Sequence, residues 1–148
     1  MSYDKAKYHF ESVQKEGLDM IQAYVHSGFY LGWLIDNDLL DEEFADDCDE
    51  DIALFKRREI TASRLFQRLD GVLSEQDISE QGNAFTQSYF DFDTGSYLED
   101  YQTYLVKALP GVFHVKDSWE NYHIAAEFIS ERYRRWLSRQ ANVISSDV

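Results

Sequence analysis

The sequence predicts a mainly α, single-domain helical bundle with a central buried helix and one or two short extended segments. Two patterns carry that prediction. Between residues 18 and 137, apolar side chains recur mostly at three- and four-residue spacing, the period of a helix face. One of these stretches, LDMIQAYVHSGFYLGWLI (18–35), is apolar on nearly every face, which suits a helix enclosed by others. The single proline, the absence of internal repeats and the lack of a Gly/Ser-rich linker leave nothing to mark a boundary, so 1–148 reads as one domain. With ten Tyr, ten Phe and three Trp, the chain has far more apolar surface to bury than a disordered segment has.

The elements follow in order. Residues 1–17 show no clean period and form an irregular N-terminal segment, with YHF (8–10) a candidate extended piece. In the 18–35 helix, Leu18, Ile21, Val25, Phe29, Gly32 and Trp33 share one face, while Asp19, Gln22 and His26 form a narrow polar strip. Gly28 and Gly32 make a G-x-x-x-G pattern, which in a soluble core helix permits close approach of a neighbour. A second helix starts near Asp41, with Phe44, Cys48, Ile52 and Phe55 along its inner side. Thr61 as N-cap and Gly71 as terminator bound a third. Residues 78–90 form a fourth, and Asp93-Thr94-Gly95 a turn. A fifth runs from Tyr97 to Leu109, where Pro110-Gly111 stops it. VFHV (112–115) is another candidate extended piece. The last helix begins with the capping box Asp117-Ser118-Trp119-Glu120, carries Arg132, Arg134, Arg135 and Arg139 in its C-terminal turns, and frays over 142–148.

Charge is the most conspicuous feature. The net charge is -14, and ten of the 28 acids lie in DNDLLDEEFADDCDED (36–51), without one Lys or Arg. The rest of the chain is close to neutral. A helix spreads Glu42, Glu43, Asp46, Asp47, Asp49 and Glu50 over the side opposite the apolar stripe. Like charges at three- and four-residue spacing cost a few tenths of a kcal/mol per pair, which points to a use for them. Such a field repels phosphate backbones and attracts basic proteins, so these six residues are the predicted partner-binding surface, and direct nucleic-acid binding is not expected.

No chemical motif competes with that surface. DFDTG (91–95) starts like a calcium loop, but its fifth, sixth and twelfth positions are Gly95, Ser96 and Gln102. His9, His26, His114 and His123 fall in no H-x-x-x-H or H-E-x-x-H spacing, so no metal site and no cofactor is predicted. Among them His26 stands out, because a ring on the polar strip of a buried helix must find partners. Cys48 sits among carboxylates that disfavour its thiolate, and a buried, inert thiol is expected. No nucleophile motif or phosphate loop occurs, so an enzyme is not expected. The N-terminus MSYDKAKYHF shows no export signal, and the lone Cys48 forms no internal disulfide, so a cytoplasmic location is expected and no membrane association.

YDKAKYHF (3–10), HSGFYLGWLIDNDLL (26–40), GNAFTQSYFDFDTGSYLEDY (82–101) and FHVKDSWENYHIAAEFISERYRRWL (113–137) together resemble, over nearly the whole chain, a group of small acidic bacterial cytosolic proteins classed as a domain of unknown function. In size, charge and style the chain also resembles immunity proteins of contact-dependent inhibition and other polymorphic toxin systems. That likeness implies a protein that binds and neutralises a cognate basic toxin domain, a nuclease by expectation, with exposed Tyr or Trp as anchors. The alternatives are a small-ligand protein or enzyme with a pocket around His26, Tyr24 and Tyr30, and a DNA-mimic regulator.

Overall fold

A computed structural model describes residues 1–146, and helices account for 69% of the structure against 6% strand. The order is β1 (Ser2–Lys5), a 3₁₀ turn (Ala6–His9), α1 (Phe10–Lys15), a 3₁₀ turn (Met20–Tyr24), α2 (Val25–Asp36), α3 (Glu42–Asp47), α4 (Asp49–Lys56), α5 (Ala62–Arg68), β2 (Val72–Ser74), α6 (Glu80–Tyr89), α7 (Tyr97–Tyr101) with a π turn (Gln102–Val106), and α8 (Trp119–Ser146).

The central helix is α2, and every residue from Val25 to Ile35 is buried. It starts later than the sequence suggests. Asp19 caps a 3₁₀ turn through its Oδ1, which accepts from the Ile21 N–H, and the chain becomes α-helical only at Val25. The two glycines behave as expected. A Cβ on Gly28 would meet the Ser63 Cα at 2.9 Å, and one on Gly32 would meet the Tyr122 and Phe55 rings at 2.8 and 2.9 Å. The backbones of α2 and α5 therefore touch, and Phe29, Trp33, Phe55, Phe66, Phe85 and Tyr97 fill the space around them.

Several sequence expectations are corrected by tertiary context. The helix of 41–55 breaks at Cys48, giving α3 and α4. Asp41 caps α3, its Oδ2 accepting from the Phe44 N–H at 3.0 Å. The break gives α4 a helix N-terminus of its own, so Asp49, Glu50 and Asp51 meet the positive end of a dipole. Cys48 is half-buried instead of buried; burial, then Asp47 and Asp51, pushes its thiol up. YHF (8–10) is not extended: it lies in the 3₁₀ turn and the start of α1, and 112–114 is a 3₁₀ turn as well. The helix after Tyr97 ends at Val106, where Lys107 takes a left-handed φ of 51°, ahead of Pro110. Its π turn lets the adjacent Leu105 and Val106 both reach the core.

The last helix is capped by Ser118, whose Oγ accepts from the Asn121 N–H, and not by Asp117. Asp117 is taken by a tertiary partner, accepting the Thr61 hydroxyl at 2.7 Å. α8 continues to Ser146, so the arginines lie in mid-helix, away from the dipole's negative end. Of the expected frayed segment 142–148, residues 142–146 are helical and 147–148 lie outside the described residues.

One element had no sequence expectation at all. β1 pairs antiparallel with β2, Asp4 opposite Leu73 and Lys5 opposite Val72, with a bulge between Ser2 and Asp4. Thr61 Oγ1 caps α5, and the chain leaves it through Asp70 and Gly71 at left-handed φ values of 68° and 64°. That reversal feeds β2, and the Ala6 N–H donates to the Gly71 carbonyl at 2.8 Å. No helix among the described residues is long and apolar enough to cross a membrane.

Candidate functional site

Two features stand apart from the packing. The first is the acidic surface. Of the ten acids in 36–51, Asp36, Asp38 and Asp51 pair with Arg58, Lys56 and Arg68, and Asp41 caps α3. The other six, Glu42, Glu43, Asp46, Asp47, Asp49 and Glu50, are the ones the sequence singled out. All six are exposed, and none has an ion-pair partner among the described residues. Asp46 and Asp47 lie in the last turn of α3, where no basic residue offsets the negative end of the dipole. Beside them runs a groove of about 270 Å³, with Ile35, Leu40, Ala45 and Ile52 as its apolar lining and Asp38, Glu42 and Lys56 at its polar edge.

The second feature lies under the N-terminal segment. The β1–β2 pairing turns the Asp4 carboxylate inward onto the first turn of α2, where only 3% of the residue is exposed. Ser27 Oγ donates to Asp4 Oδ2 at 2.5 Å. His9, at the end of the first 3₁₀ turn, brings its Nε2 to 2.8 Å from Asp4 Oδ1. His26 Nε2 lies 3.3 Å from Oδ2. The two rings meet edge to face at 4.7 Å between centroids. Phe113 covers both, and Phe92 lies against His26. Gln22 fixes the covering segment, its amide donating to the Phe113 and Val115 carbonyls at 2.7 Å each.

Burial and hydrogen bonding set the charges here. Burial pushes the Asp4 carboxyl up, but the bonds from His26, His9 and Ser27 outweigh it and hold the group well below the usual carboxylate range. Burial drives His26 the other way, below its ordinary value despite Asp4, so its ring is neutral at neutral pH. His26 Nδ1 is buried without a hydrogen-bond partner. The ligand atoms of Asp4, His9 and His26 all lie within 4.8 Å of one another, a set that suits a metal ion.

Sequence reasoning marked His26 but missed Asp4 and His9. The three come from a strand, a 3₁₀ turn and a helix, so no local spacing unites them. The only signal was a histidine on a buried helix in need of partners. Of the other residues expected around His26, Tyr30 is buried with its hydroxyl against Thr86, and Tyr24 lines a cavity with Lys5, Lys7 and Asp70.

No curated protein and no solved structure matches the chain. A family model does, over residues 2–115, a span that includes both features and stops short of α8. The chain belongs to the family described as Domain of unknown function (DUF7832).

Proposed function

We propose that this chain is a binding protein whose acidic face captures a basic protein, in the manner of an immunity protein that occludes a toxin domain, a nuclease being the expected target. The observation that carries the reading is the placement of Asp46 and Asp47. They are exposed, unpaired among the described residues, and set at a helix C-terminus where carboxylates are unfavourable. Folding gains nothing from acids at that point. A basic partner does, because unpaired surface charge steers association. The neighbouring groove suits a Lys or Arg side chain, whose aliphatic stem covers Ile35, Leu40 and Ile52 while its charge reaches Glu42 or Asp38.

The test uses a basic toxin domain encoded beside this chain's gene. Co-expression of the chain restores growth of cells that produce the toxin. Replacing Asp46 and Asp47 by Lys, and Glu42 and Glu50 by Gln, slows association about tenfold or more at low salt and flattens its salt dependence. The same change alters thermal stability little, since Lys suits the end of α3 while the loss of Glu42 and Glu50 takes acids from the first turns of α3 and α4. Unchanged association kinetics overturn the reading, as does a chain that gives no protection against its neighbour's toxin.

A further inference from the structure

We propose that Asp4, His9 and His26 bind a divalent transition-metal ion, Zn²⁺ in the first instance. Two imidazole nitrogens and one carboxylate form a three-ligand protein set that zinc accepts with a fourth position left for water. The same set is poor for calcium or magnesium, which want shells made chiefly of oxygen.

The geometry is close to what an ion requires. With bonds of about 2.0–2.2 Å, tetrahedral zinc holds adjacent ligand atoms about 3.3 Å apart. Here His26 Nε2 is 3.3 Å from Asp4 Oδ2 and His9 Nε2 2.8 Å from Asp4 Oδ1, and one ligand atom from each of the three residues lies within 4.8 Å of the others. Accommodating an ion takes a movement of His9, which opens its contact with Asp4 from 2.8 Å and draws in any pair lying as far as 4.8 Å apart; His9 sits in a short 3₁₀ turn and has 20% of its side chain exposed. That exposed edge is the route of entry. For the ion to bond to Nε2 of a ring, a proton held on that nitrogen moves to Nδ1 or leaves to solvent.

The surroundings resemble the outer shell of a metal site. Ser27 holds Asp4 Oδ2 from behind, as ligating carboxylates are usually held. Tyr97 donates to the His26 carbonyl at 2.5 Å and fixes the turn that carries the ring. Phe92 and Phe113 pack their rings against His26. An ion here ties β1 and the first 3₁₀ turn to α2, and this site is independent of the acidic face.

The experiment uses the full chain without a histidine tag, stripped with chelator and titrated with Zn²⁺ alone by calorimetry. The expected result is saturable one-to-one binding and a rise in melting temperature. His9→Gln keeps a donor for Asp4 but loses the ligand, and weakens zinc binding about a hundredfold or more. Asp46→Asn with Asp47→Asn leaves the affinity unchanged. Should His9→Gln fold poorly, imidazole NMR of the unaltered chain decides instead: Zn²⁺ shifts the His9 and His26 resonances and leaves those of His114 and His123 in place. Absence of one-to-one binding, full binding by folded His9→Gln, loss of binding in the acidic-face variant, or shifts at His114 and His123 instead of His9 and His26 each overturn the proposal.

Discussion

The Arg132 guanidinium holds the Asp100 carboxylate with two parallel hydrogen bonds, Nε to Oδ2 and Nη2 to Oδ1, both 2.9 Å. Tyr89 donates a third to the same carboxylate at 2.8 Å. Asp100 is buried, so it tolerates its charge only because α6 and α8 both supply donors, and the arrangement locks α7 between them. Arg132→Met removes two donors and leaves the carboxylate under-satisfied. A fully buried pair loses about 3–5 kcal/mol on such a change. Arg132 is about one-third exposed, and water moderates the loss to about 2 kcal/mol. Denaturant unfolding measures it. Asp100→Leu made together with Arg132→Met recovers part of the loss, because the orphaned charge goes with its partner.

The close contact of α2 and α5 predicts an order of costs at two glycines. In Gly28→Ala the new methyl meets backbone, the Ser63 Cα at 2.9 Å and the Ala62 carbonyl at 3.1 Å, which no rotamer change relieves. In Gly32→Ala it meets the edges of the Tyr122 and Phe55 rings and the Ala62 methyl, which can tilt or yield. Gly28→Ala therefore costs about 3 kcal/mol or more and Gly32→Ala about 1–2 kcal/mol, both as overpacking. Equal midpoints in urea for the two variants contradict this account.

Thr61 joins two helices with one hydroxyl. Its Oγ1 accepts from the Arg64 N–H at 3.2 Å, capping α5, and donates to Asp117 Oδ2 at 2.7 Å beside the start of α8. Thr61→Ser keeps both bonds and unfolds near the parent midpoint. Thr61→Val keeps the shape but loses the cap and leaves the Asp117 carboxylate, whose Oδ1 already lacks a partner, with no donor at either oxygen. The cost is about 2–3 kcal/mol, one part cap and one part unsatisfied acceptor.

Local signals in the sequence were reliable where a local contact decides the structure. Asp41 and Thr61 cap their helices, Gly71 takes its left-handed turn, and the 18–35 stretch, apolar all round, supplies the centre of the core. They failed where a distant partner outbids a near one. Asp117 leaves the expected cap because Thr61 is the better partner, and β1 exists only through pairing with residues 72–74, some seventy positions away. The acidic surface was legible because its charge is concentrated in one run. The Asp4–His9–His26 set was not, since strand pairing and helix packing must both be known before the three meet.

The tyrosines set the alkaline limit of the fold. Tyr30, Tyr89, Tyr97, Tyr101 and Tyr122 are all buried, and burial raises each hydroxyl above its ordinary value; Asp100 adds to this at Tyr89, and Asp36 at Tyr122. In the unfolded chain the same groups ionise near pH ~10. Because the folded values are the higher ones, the stabilisation is fully present below that pH and is lost as pH rises beyond it. Each tyrosine removes about 1.4 kcal/mol per pH unit, so five together exhaust an ordinary folding free energy within about two units. Tyrosinate absorbance and helical circular dichroism should therefore change together in one steep transition between about pH 10.5 and 12. Gradual tyrosinate formation with the helices intact contradicts this. Tyr101 offers the sharper check, because its hydroxyl is buried without a partner. Tyr101→Phe removes one titrating group and one unsatisfied polar atom, so it raises stability at neutral pH by about 1 kcal/mol and moves the alkaline transition upward.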